Sequence, residues 1–150
     1  MRWNWLRGAA NFADFGDPVS GSSNYRLCIY DETGGIPSLK LGVSAPAGEM
    51  CGLRACWKQL GSATPKGFQY KDPDLTPSGI RIITLKAGAA GTAKILVNGK
   101  GAKLPATTAF TQDTQVTAQL VKSDGGVCWQ AVYPAPALKN SGGQFKDTVP

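Results

Sequence analysis

A chain of 150 residues, 42% hydrophobic and 17% charged, is long enough for one well-buried domain and short for two. It has no histidine and no run of eighteen apolar residues, which excludes Ser-His-Asp and Cys-His catalysis, His-ligated metals and a membrane-spanning helix. With 19 Gly, 10 Pro and glutamate only as Glu32 and Glu49, the composition disfavours helices, and the net charge of +6 is carried by lysines that stand singly along the chain.

Short apolar stretches separated by turn residues predict strands near 3–7, 25–30, 38–43, 54–59, 67–71, 79–86, 92–98, 100–104, 116–122 and 127–133, with a short last one at 144–146. The expected fold is all-β: an antiparallel β-sandwich, jelly-roll or Ig-like, of about 8–10 short strands stapled by disulfides. Residues 1–150 read as one such domain, with 1–8 as a first strand and 134–150 as an edge or linker tail. In the first strand Trp3 and Trp5 share one face and Asn4 and Leu6 the other, as a half-buried strand requires. Two Trp need a groove. If the groove is this chain's own, the strand packs in place. If it belongs to a neighbour, the strand adds to that neighbour's sheet and builds a homo-oligomer or filament.

The turn-rich entry 11–18 is expected to pack Phe12 or Phe15 on the sandwich, and Cys51 and Cys56 to staple the loop within 47–60. In 72–79, Asp72 and Asp74 form a weak Ca²⁺ candidate, although turn-forming Asp and Pro explain them without an ion. The Gly-rich 87–94 lacks the Gly-Lys-Ser/Thr ending of a phosphate loop. Asn98-Gly99 predicts a two-residue hairpin between 93–97 and 100–104. A second hairpin joins 116–122 to 127–133 across Ser123-Asp124-Gly125-Gly126. That register sets Leu120 against Trp129, Ala118 against Ala131 and Val116 against Tyr133, one apolar face. The prolines at 134 and 136 take the tail out of the sheet.

Four cysteines in a small strand-rich chain point to two disulfides and an oxidising compartment, since no pair has zinc-ligand spacing. The second hairpin puts Cys128 on the reverse face, and alternation through Tyr25, Leu27 and Ile29 does the same for Cys28. The expected pairs are Cys28–Cys128 and Cys51–Cys56. Residues 1–8 lack the apolar stretch of a signal peptide, so a mature fragment or a unit of a longer secreted protein is expected. The localisation expected is extracellular or cell-surface.

Trp57 and Tyr70 are the candidate ligand-facing rings for a glycan; Trp3, Trp5 and Trp129 are expected to pack. No basic run or aromatic-interleaved motif is present, so the lysines read as solubilising surface charge and no nucleic-acid partner is expected. No catalytic constellation, no cofactor and no membrane insertion are expected.

The runs Trp5-Leu6-Arg7-Gly8 through Asp14-Phe15-Gly16-Asp17-Pro18, Tyr25 to Asp31, Cys51 to Lys58, Gly67 to Asp72 and Cys128-Trp129-Gln130-Ala131 resemble a secreted all-β domain of unknown function found in deltaproteobacterial extracellular proteins. The resemblance spans nearly the whole chain and implies a secreted compartment, disulfides and a β fold. It transfers no site residue. The leading expectation is a non-catalytic extracellular structural or assembly module, with a glycan- or surface-ligand-binding module as the alternative.

Overall fold

The computed structural model describes residues 1–106, 110–141 and 144–148. In chain order its strands are β1 (Arg2–Ala10), β2 (Tyr25–Thr33), β3 (Ile36–Ala45), β4 (Met50–Cys51), β5 (Arg54–Ala55), β6 (Trp57–Leu60), β7 (Gly67–Lys71), β8 (Ile80–Lys86), β9 (Gly88–Gly99), β10 (Gln115–Lys122), β11 (Cys128–Pro134), β12 (Lys139–Ser141) and β13 (Gln144–Lys146). A five-stranded sheet runs β1-β9-β8-β7-β6 and a four-stranded sheet runs β11-β10-β2-β3; both are antiparallel. The antiparallel β-sandwich expected from the alternation is the fold observed.

Alternation does the sorting. Tyr25, Leu27, Val43, Val116, Leu120 and Trp129 of one sheet face Trp57, Tyr70, Ile83, Leu85, Ile95 and Val97 of the other, all buried. An aromatic seam crosses between the layers: Tyr70 lies 5.1 Å from Trp57, Trp57 lies 5.3 Å from Tyr25, and Tyr25 lies 6.3 Å from Trp129. Such pairs each contribute about 0.5–1.5 kcal/mol beyond the area they bury. The entry segment adds both of its rings, Phe12 stacking on Phe68 at 5.0 Å and Phe15 tilting on Trp129 at 5.3 Å.

β1 lies in its own chain, at the edge of the five-stranded sheet. Trp3 pairs with Val97 and Trp5 with Ile95, so both indoles face inward, Trp3 buried and Trp5 half-buried. A bulge at Arg7, where φ is 62°, lets the Trp5 ring lie over Gly8, and a Cβ at Gly8 would collide with it. The Met1 ammonium donates to the Gly99 carbonyl at 2.8 Å.

The second hairpin has the expected register, with Leu120 opposite Trp129, Ala118 opposite Ala131 and Val116 opposite Tyr133. The first does not form. Asn98 and Gly99 stay inside β9, because Asn98 is paired with Arg2 on one side and Ile82 on the other, and Gly99 with Ile80. Residues 100–104 turn instead of forming a strand. Two neighbouring strands offer more backbone pairing than one tight turn would. The tail leaves β11 at Pro134 and returns as β12 and β13, with Phe145 set against Phe110 at 4.8 Å and Tyr133 at 6.3 Å.

The Cys51–Cys56 disulfide is present and closes the small hairpin of β4 and β5. Cys28 and Cys128 are not bonded to each other. They do share the outer face of the four-stranded sheet, but β10 lies between their strands, with Cys28 opposite Gln119 and Cys128 opposite Val121. Two strand spacings amount to roughly 9–10 Å, beyond the about 7 Å that a disulfide spans between Cα atoms. The facing was right and the adjacency was wrong.

Candidate functional site

The residues singled out for ligand contact serve the core instead. Trp57 is 1% exposed, and its indole N–H donates to the Pro46 carbonyl at 2.8 Å. Tyr70 is fully buried, and its hydroxyl donates to the Thr76 carbonyl at 3.2 Å and to Asp72 Oδ2 at 3.4 Å. Neither ring can face a ligand, because their strand positions put them on the inner face.

In the Asp72–Asp74 pair the local role is a turn-forming one. The buried Asp72 carboxylate accepts from the backbone N–H of Asp74 at 2.8 Å and of Thr76 at 2.6 Å, and from the Thr76 hydroxyl at 3.1 Å. A carboxylate that accepts from two backbone N–H groups of its own loop organises that loop, the role turn-forming Asp has without an ion. Among the described residues no group of three His, Cys, Asp or Glu is gathered in metal-holding geometry.

The outer face of the four-stranded sheet carries a shallow depression of about 550 Å³ beside Arg26, Cys28 and Tyr30. Cys28 is largely buried there, and Arg26 lies over Gly42, where a Cβ would meet its guanidinium at 2.6 Å. The Tyr30 hydroxyl is held above its ordinary range, first by the charge of the neighbouring Cys28 and then by burial, while Arg26 pulls the other way.

The feature that single lysines concealed lies on the other sheet. The five strands β1, β6, β7, β8 and β9 contain Arg2, Arg7, Lys58, Lys71, Arg81, Lys86 and Lys94, and not one Asp or Glu. In each strand an inward residue fixes the direction of its neighbour. Trp3 inward turns Arg2 outward, Trp57 does so for Lys58, Tyr70 for Lys71, Leu85 for Lys86 and Ile95 for Lys94. The result is at least one exposed cation on every strand, with Arg2, Lys58, Lys71, Lys86 and Lys94 on a single face.

Three rows cross that face. The first runs Arg2, Asn98, Ile82, Lys71; the second Asn4, Leu96, Thr84, Gln69, Lys58; the third Leu6, Lys94, Lys86, Gly67, Leu60. Lys86 and Lys94 stand directly opposite one another, a like-charge pairing that destabilises a sheet unless a counter-charge lies over it. Gly67 follows Lys86 in the row; it is buried, and a Cβ there would collide with the Leu85 carbonyl, so no side chain stands at that point. Lys66 joins the same end, its carbonyl accepting from Ala87 N at 2.8 Å. Among the described residues the one ion pair is Lys122 with Asp124, at 3.5 Å, in the other half of the molecule.

No protein-family model matches the chain, and no curated protein or solved structure is detectably similar to it.

Proposed function

We propose that this chain is a non-catalytic binding domain of a secreted or surface protein, holding an anionic partner against the outer face of its five-stranded sheet. One observation carries the reading: at least one exposed cation on each of five adjacent strands, with no carboxylate on any of them. A face of one sign raises the local concentration of opposite charge and speeds its capture. The Cys51–Cys56 bridge supports an oxidising compartment, in keeping with an extracellular location.

The test compares two triple variants of equal net charge. Lys58→Gln, Lys86→Gln and Lys94→Gln together are expected to abolish retention on an anionic matrix near neutral pH. Lys40→Gln, Lys139→Gln and Lys146→Gln, off that face, are expected to leave most of it. Equal losses in the two would mean that net charge alone governs retention, and the reading would fall.

Assembly through β1 is a second reading. The two buried side-chain polar atoms without a partner among the described residues, Trp3 Nε1 and Asn4 Oδ1, both lie in this edge strand. Removing residues 1–7 separates the roles. Loss of monomer stability marks in-place packing alone, and a stable monomer that no longer associates marks donation.

A further inference from the structure

We infer, resting on the anionic-partner reading above, that the partner is a linear polysaccharide bearing carboxylate or sulfate groups, laid across β9, β8, β7 and β6. Its charged groups sit on Lys94, Lys86 and Lys58. The Lys86–Lys94 pair sets the first position. Two ammonium groups facing each other across neighbouring strands repel, and one anionic group placed between them turns that repulsion into two charge-assisted hydrogen bonds.

Gly67, buried beside Lys86, adds no side chain of its own to the third row, so β7 sets neither a bulky group nor an opposing charge against the ligand there. The middle row supplies partners for hydroxyl groups: the Gln69 amide nitrogen donates to the Thr84 hydroxyl at 3.4 Å, and the amide oxygen of Gln69 keeps its capacity to accept. Lys58, next to Gln69 in that row, receives the following charge. The path covers four strands, about 14 Å at the ordinary spacing between strands.

The same face weighs against other polyanions. None of its three rows holds an aromatic ring, so a single strand of nucleic acid finds nothing on which to stack its bases. This face offers no helix and no protruding two-stranded ribbon to the major groove of a duplex. Leu60, Ile82 and Leu96 are half-buried within the rows, and only Leu6 stands exposed, at the margin, which gives a lipid surface little to anchor. Alternating ammonium, amide and hydroxyl groups suit a chain of charged and hydroxylated sugars.

The experiment measures binding of the whole disulfide-bonded chain to immobilised heparin, polygalacturonate, neutral dextran, single-stranded DNA and phosphatidylserine vesicles in about 0.15 M salt. Binding to heparin or polygalacturonate is expected, none to dextran, and weaker binding to DNA and vesicles of matched charge. Lys86→Gln or Lys94→Gln should each weaken polysaccharide binding about tenfold, as the loss of one charge-assisted contact predicts. Lys40→Gln should change it by less than about twofold. Circular dichroism and melting of each variant confirm that the sandwich is intact. If DNA or vesicles bind through the same lysines while the polysaccharides do not, this inference is overturned and the anionic-partner reading stands. If nothing binds, or every lysine variant behaves alike, both are overturned.

Discussion

The strands of the five-stranded sheet carry seven cations and no carboxylate, while those of the four-stranded sheet set Arg26, Lys40 and Lys122 against Asp31 and Glu32. On the four-stranded side much of the charge is used by the fold. Asp31, fully buried, accepts from the backbone N–H of Thr111 at 2.6 Å and of Gln112 at 2.9 Å, tying down the segment that leads into β10. Glu32 accepts from Gln115 at 3.0 Å, and Lys122 pairs with Asp124 at 3.5 Å. On the five-stranded side no carboxylate pairs with the cations among the described residues. The inner faces of the two sheets are alike in their aromatic and aliphatic content, so core formation does not explain the difference outside. Charge that a fold consumes is paired, and charge left open on a flat face is free to meet a partner.

The sharpest way to break this comparison is to change the inner face and watch stability alone. Trp57→Ala removes the ring that links Tyr70 to Tyr25 and leaves the Pro46 carbonyl without its donor. It should cost about 3–5 kcal/mol in a urea titration. A cost below about 1 kcal/mol would show that the two sheets do not share the core described. The disulfide comes next. Converting Cys51 and Cys56 to Ser frees a loop of five bonds' sequence separation, worth about 2 kcal/mol in the chain-entropy account. The cationic face should be untouched, and loss of the proposed polyanion binding with retained folding would tie the hairpin to that face.

Alkaline pH probes the seam. Tyr25 and Tyr70 are pushed well above the ordinary phenol range, first by burial and then by Asp124 and Asp72 respectively. An unfolded tyrosine ionises near pH 10. The protonated form is thus favoured in the folded chain, and the stability it contributes is complete below about pH 10 and lost as pH rises beyond it. Absorbance at the phenolate band should rise for these two only together with loss of near-ultraviolet circular dichroism. Phenolate forming in an intact fold would contradict their burial. The smallest effect belongs to the outer face: Lys86→Gln should change stability by no more than about 0.5 kcal/mol, toward stabilisation, since it relieves the pairing with Lys94.

How much of this was legible in the sequence depends on how local each feature is. Clean alternation through Val116, Ala118 and Leu120 fixed the register of the second hairpin, because a slip of one residue would have buried Thr117 and Gln119. The inward facing of Trp3 and Trp5 followed from the same period. Strand order is not local, and every misreading turns on it. Cys28 and Cys128 were correctly placed on one face, yet the insertion of β10 between them is invisible to alternation. The Asn98-Gly99 turn signal yields to β1, a strand ninety residues upstream that pairs with it. Trp57 and Tyr70 looked available because no hairpin argument assigned their faces; pairing with each other across β6 and β7 placed both inside. The cationic face shows the same limit. A lysine directly after Trp57, Tyr70 and Leu85 could be read as outward in each strand, but only the order of the sheet makes those lysines neighbours.

The central claim, that the two sheets divide structural from binding duty, is tested most directly by an NMR titration of the isotope-labelled chain with a short heparin oligosaccharide. The account predicts progressive amide and lysine side-chain shifts at Lys58, Gln69, Thr84, Lys86 and Lys94, with Arg26, Cys28, Tyr30 and Gln130 on the outer face of the other sheet unmoved. Shifts concentrated on the four-stranded sheet, or spread evenly over the lysines of both, would contradict it.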